Sequence, residues 1–341
     1  MLLVALLASF RVRLALLSGI VLLLASACGG GGSDADTVTV QLDWTPNTNH
    51  AGVYLAQAKG WYKEAGIKVN ILPYTDVNPD TVVANGKADI GISFPANVIF
   101  SRAAGLDLVS VAAVLQKNVT ELAVLDSSDI KRPRDFDGRV YAGFGLPFEE
   151  PHIKTVIKAD GGKGEFTTAT LSTAAYEALY AKRADFTEIY TAWEGIEADM
   201  RGIKLRTFRY DSYGVPDFPG VIFVAKREAV TKRAAVLSRF LDATRKGYEF
   251  AAKEPDQAGK DFVAALPKGT FPEPEMVYRS AKMLAPAYVD AAGRWGENPA
   301  SKWDAYSKFL LAQNVVTDDK QRVVKELPGG PLYTNELLAK Q

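Results

Sequence analysis

The chain has 341 residues, 48% of them hydrophobic, enough to bury one large or two ordinary cores. Its 40 basic and 40 acidic side chains cancel, so it lacks the basic excess on which nucleic-acid binding rests. With two histidines (His50, His152) and one cysteine (Cys28), it has no metal-ligand spacing and cannot close an intrachain disulfide.

The first 28 residues are almost entirely apolar, broken chiefly by Arg11 and Arg13. A positive flank followed by the short apolar run Leu14–Ala25 has the form of a signal peptide. The run ends Ala25-Ser26-Ala27-Cys28, which resembles a bacterial lipobox. Residues 1–27 are therefore expected to be a lipoprotein signal, Cys28 the lipidated residue, and 28–36 a Gly-rich tether between membrane and folded body. Apolar Met1–Phe10 lies ahead of the arginines, the reverse of a conventional signal, and initiation at Val12 is expected.

Thr37–Asp43 alternates as a half-buried strand does. Asn49 is placed to cap a helix from about His50 to Lys59, stopped by Gly60. Strands follow at 67–72, 89–93 and 108–116, with helices at 79–85 and 95–104 between them. A second set has strands at 139–144 and 186–190 and helices at 150–159, 173–181 and 193–201. Val221–Ala225 reads as a returning strand, and helical patterns at 233–252, 273–284 and 301–311 end the chain. Strands alternating with helices imply α/β units and a largely parallel sheet. Two such sets predict two lobes, 37–125 with 225–341 and 126–224, joined by crossover strands near Leu122–Leu125 and Val221–Val224. Two hinges permit closure on a ligand in the cleft between the lobes.

The segment Asp43-Trp-Thr-Pro-Asn-Thr-Asn-His-Ala-Gly52 sets an acid, an indole, two amides and an imidazole in the loop after the first strand. Polar groups beside an aromatic face suit a flat, hydrogen-bonding ligand. The same segment also reads as helix capping by Asn47 or Asn49 with Trp44 in the core.

Leu42–Gly52 with Gly60-Trp-Tyr-Lys-Glu-Ala-Gly66 resembles the thiamine-pyrimidine-precursor binding proteins of the NMT1/THI5-like superfamily, substrate-binding subunits of ABC importers. Further matches are Gly86–Ser93, Val109–Val114, Gly143–Glu150, Trp193–Glu197 and Arg294–Glu297, so the resemblance spans about 38–315. It implies the type II periplasmic-binding-protein clamp. It also implies a monomer that needs no cofactor, catalyses nothing and hands a flat nitrogen heterocycle to a permease and ATPase. For an aminopyrimidine, the resemblance makes Glu194 the first candidate to engage the amine edge, with Glu150 and Asp43 as alternates. Trp44, Phe94, Tyr190 and Trp193 are candidates to stack on the ring, and Asn47, Asn49, Ser93 and Gln116 to bond its substituents; Gly145 joins them from the Gly143–Glu150 motif. Riboflavin or another flat heterocycle is the alternative cargo, with Leu146, Phe148 and His152 as departures that reshape the site. Pyrimidine synthases of the same superfamily carry a lysine and a histidine where this sequence has Ser93 and Asn97. A Schiff base needs an amine, which opposes the enzyme reading.

Overall fold

The computed structural model of the protein describes residues 36–339; the leader, Cys28 and all of the tether but Asp36 lie outside them. Ten strands form two five-stranded sheets. The first holds β1 (Asp36–Gln41), β2 (Ile67–Leu72), β3 (Ile90–Ser93), β4 (Leu108–Ala113) and β10 (Ile222–Lys226), in the order β2-β1-β3-β10-β4. The second holds β5 (Thr120–Leu125), β6 (Val140–Gly143), β7 (Thr167–Thr170), β8 (Phe186–Tyr190) and β9 (Leu205–Arg209), in the order β7-β6-β8-β5-β9.

Every residue of β3 and β4 is buried, as expected of central strands covered on both faces. Parallel pairing joins β1 to β2 and β3, and β6 to β7 and β8. The expectation of a largely parallel sheet is only half met. β10 runs antiparallel to β3 and β4, and β5 antiparallel to β8 and β9. Each of these strands enters its sheet from the other lobe rather than through a helical crossover, and only the crossover imposes parallel pairing.

The expected crossover strands need the same correction. Leu122–Leu125 pairs within the second sheet and Ile222–Val224 within the first. The chain passes between sheets at 114–119 and 210–221. There the two connections bond to each other: the N–H groups of Val114 and Leu115 donate to Val221 O at 2.8 and 3.1 Å, and Gly220 N–H donates to Leu115 O at 3.1 Å. A side chain at Gly220 would meet Lys117 O at 2.7 Å, so the close approach needs glycine.

The C-terminal segment is also shared more widely than expected. Tyr306 and Leu310, on the helix Ala300–Ala312, join one apolar cluster with Ala96 and Ile99 from the first lobe and Phe136 and Ile153 from the second. The segment assigned to the first lobe thus braces both. Among the described residues no helix is long and apolar enough to cross a membrane, and no group of side chains is set to hold a metal ion.

Candidate functional site

A cavity of about 460 Å³ opens between the sheets, beyond the carboxyl ends of β1, β3, β6 and β8. That is where α/β sheets place ligands, because strand-end loops converge there. From the first lobe it is lined by Asp43, Trp44, Asn47, Asn49 and Phe94; from the second by Tyr176, Glu188, Tyr190, Trp193 and Glu194.

Short-range bonds shape the loop after β1. Asn47 caps the 3₁₀ turn Thr48–His50: its Oδ1 accepts from Asn49 N–H at 2.9 Å, and its amide donates to Thr45 O at 3.1 Å. His50 Nδ1 accepts from Asn47 N–H at 3.3 Å, so the ring proton sits on Nε2 and is donated to Asp43 Oδ1 at 2.7 Å. Asp43 is thereby held in place while still lining the cavity. The turn is anchored from beneath, where Tyr248 and Tyr288 donate to the carbonyls of Asn49 and Thr48, each at 2.7 Å. Trp44 is half-buried and tilted against Tyr74, with ring centroids 5.0 Å apart. Capping and cavity lining, posed as alternatives for this segment, coexist in Asn47.

On the second lobe, Glu194 opens the helix Glu194–Met200 and is 8% exposed. It accepts from Tyr190 N–H at 3.1 Å and from the Tyr176 hydroxyl. Burial outweighs these bonds and pushes its carboxyl up to about 7. Glu188 is likewise pushed to about 7, chiefly by burial, although the Tyr210 hydroxyl donates to it at 2.6 Å. Four carboxyl groups, those of Asp43, Asp76, Glu188 and Glu194, thus line the cavity together with several aromatic rings, and no lysine or arginine lines it.

Four sequence candidates lie off the cavity wall. Ser93 is fully buried and donates to Asp80 Oδ1 at 2.6 Å, tying β3 to the helix behind it. Gln116 turns its amide back to Ala113 O at 3.3 Å. Gly145 adopts φ +82° and supplies a turn, its N–H spent on Glu149 at 2.9 Å. Glu150 is solvent-exposed, paired with Lys154 at 2.8 Å. Sequence reasoning missed Glu188, Tyr176 and Tyr306 in the cavity wall. Glu188 carried a signal: it alternates with Phe186 and Tyr190 on one face of a strand, where an acid is out of place unless it works.

Residues 47–258 match the family described as NMT1/THI5 like. The chain belongs to this family. One family relative is the formylaminopyrimidine-binding protein of Halalkalibacterium halodurans, 29% identical over 91% of this chain and 97% of that one. Another is a 4-amino-5-hydroxymethyl-2-methylpyrimidine phosphate synthase of Saccharomyces cerevisiae, 26% identical over 68% of this chain and 72% of its own length. Among solved structures, the alkanesulfonate-binding protein SsuA of Xanthomonas axonopodis superposes with a TM-score of 0.62 at 16% identity, covering 83% of this chain and 95% of that one. The fold is the periplasmic-binding-protein type II clamp.

Proposed function

We propose that the protein is the extracytoplasmic substrate-binding component of an ABC importer, tethered through Cys28, and that it captures a thiamine pyrimidine precursor without transforming it. The carrying observation is a cavity lined by four carboxyls and aromatic rings with no cationic side chain. Such a wall suits a flat ligand with amino groups, because carboxyls accept N–H bonds and rings stack on its faces. It opposes an anionic sulfonate, whose charge would meet four carboxyls and no cationic side chain. An aminopyrimidine presents an amine beside a ring nitrogen, and Glu194 can engage both when one proton is shared across the pair. The precursors that fit are formylaminopyrimidine and hydroxymethylpyrimidine; the relative of similar length carries the former in its name. The synthase reading lacks its amine: Ser93 stands at the lysine position and is itself bonded to Asp80.

The protein is expected to act as a monomer and to deliver cargo to a separate permease and ATPase. Thermal unfolding with each candidate ligand tests the cargo. A precursor at 100 times its dissociation constant adds about 2.7 kcal/mol of stability. Stabilisation by riboflavin or an alkanesulfonate, with none by either pyrimidine, would overturn this reading.

A further inference from the structure

The two walls of the cavity come from different lobes, and one helix of the first lobe touches the elements behind both. The helix Pro274–Tyr288 supports the turn Thr48–His50: Ser280 Oγ lies 2.5 Å from Thr48 Oγ1, and Tyr288 donates to Thr48 O at 2.7 Å. Next to Ser280, Arg279 reaches into the second lobe, where its Nη2 donates to Asp199 Oδ2 at 2.6 Å. Asp199 lies on the helix Glu194–Met200, whose first residue lines the cavity, and the two helices pack together.

The loop that enters the Glu194 helix also leans on the first lobe. Ala192 is 3% exposed and belongs to an apolar cluster whose other buried members all fall within 38–115 and 221–337. Trp193 lines the cavity and sets its ring edge-on to Phe271 of the first lobe, with centroids 6.3 Å apart. These apolar contacts sit beside the pivot: Thr191 N–H donates to Val119 O at 3.3 Å, at the end of the connection 114–119. Groups beside a pivot shift little when lobes part. Asp199 lies about 7.5 Å further along the helix than Glu194, at 1.5 Å per residue, and so moves more. Its ion pair is also the wet part of the contact, with Asp199 66% and Arg279 38% exposed at the side chain. An exposed pair of this kind is weak enough to break and re-form in each cycle, and no apolar surface must be wetted to open it.

We propose that Arg279 and Asp199 form a closure latch. The pair holds the helix that begins on Glu194 against the helix that supports the turn Thr48–His50, so that closing the lobes and presenting Glu194 to cargo are one event. Arg279 does not line the cavity and is a positioning residue, acting through Asp199 on Glu194. The proposal rests on reading the cavity as the cargo site, as above, and not on which heterocycle fills it.

Small-angle X-ray scattering of the unliganded protein and titration calorimetry with formylaminopyrimidine test this. Arg279→Asp and Asp199→Arg each set like charges against one another. Each should enlarge the radius of gyration and weaken binding about fivefold. The exchange of both residues restores opposite charges and should return radius and affinity to within twofold of wild type. Unchanged radius and affinity in both single variants, or no recovery in the exchange, would overturn the latch. A lower urea midpoint in the single variants with radius and affinity unchanged would assign the pair to stability alone and overturn it equally. Scattering that follows the charges in a protein that binds neither pyrimidine would uphold the latch and remove the pyrimidine reading.

Discussion

The helices Glu149–Ala159 and Glu194–Met200 both begin on a buried glutamate that reaches back toward the strand before it. Glu149 accepts three backbone N–H bonds, from Phe144, Gly145 and Leu146, at 2.8–3.1 Å. All three come from the loop that precedes the helix. Glu194 accepts from its own N–H, from that of Tyr190 and from the Tyr176 hydroxyl, and it lines the cavity. The difference is one of position rather than residue type: Glu194 lines the cavity and Glu149 does not. An acid at a helix start is favoured by the exposed N–H groups there, and where it faces decides whether it can also serve a ligand.

The largest expected effect falls on Glu149. Glu149→Ala leaves three loop N–H groups without their acceptor and should cost about 3 kcal/mol in urea unfolding; unchanged stability would erase the contrast. Glu194→Gln should leave stability near or above wild type while weakening precursor binding more than tenfold, about 1.5–3 kcal/mol by titration calorimetry. The raised carboxyl adds a pH test. Because the folded-state pKa of Glu194, about 7, exceeds the ordinary 4.5, the native state holds its proton more tightly. The unliganded protein's stability should therefore fall as pH rises from about 4.5 to 7. If aminopyrimidine binding shares one proton with this acid, as proposed, affinity should drop as that proton is lost, about fivefold between about pH 7 and 8. A flat profile would reject the shared proton. Ser93→Ala should cost about 1 kcal/mol through the lost bond to Asp80 and leave affinity unchanged. Smallest of all, Glu150→Ala removes an exposed pair with Lys154 and should stay within about 0.5 kcal/mol.

Much of the fold was legible because local patterns were strong. Ile67–Leu72 and Phe186–Tyr190 are strands over the residues that their sequence indicated. Proline at the start and glycine past the end framed the helix at 95–103. The edge strands β7 and β9 escaped notice. Thr167–Thr170 has no fully buried residue and Leu205–Arg209 has one, Phe208, so neither shows an apolar run. The site divides along similar lines. Residues next to a strand end, such as Asp43, Trp44, Phe94 and Trp193, follow from topology once strands are placed. Ser93 and Gln116 were also near strand ends, but a buried carboxylate and a local carbonyl claim them. Which neighbour bonds a polar side chain is a three-dimensional fact. Tyr306 comes from a distant helix whose packing against both lobes no local pattern announces.

The turn Thr48–His50 is tied down by the hydroxyls of Tyr248 and Tyr288, and the helix that follows it crosses Ala234–Lys253 at a pair of glycines. At Gly247 a methyl group would come within 2.1 Å of the Gly52 carbonyl. The proposed recognition loop is thus already seated in the unliganded fold, and on that proposal little ordering entropy remains to be lost on capture. Association kinetics should then report how fast the lobes part and meet, while the loop contributes chiefly to how long the cargo stays.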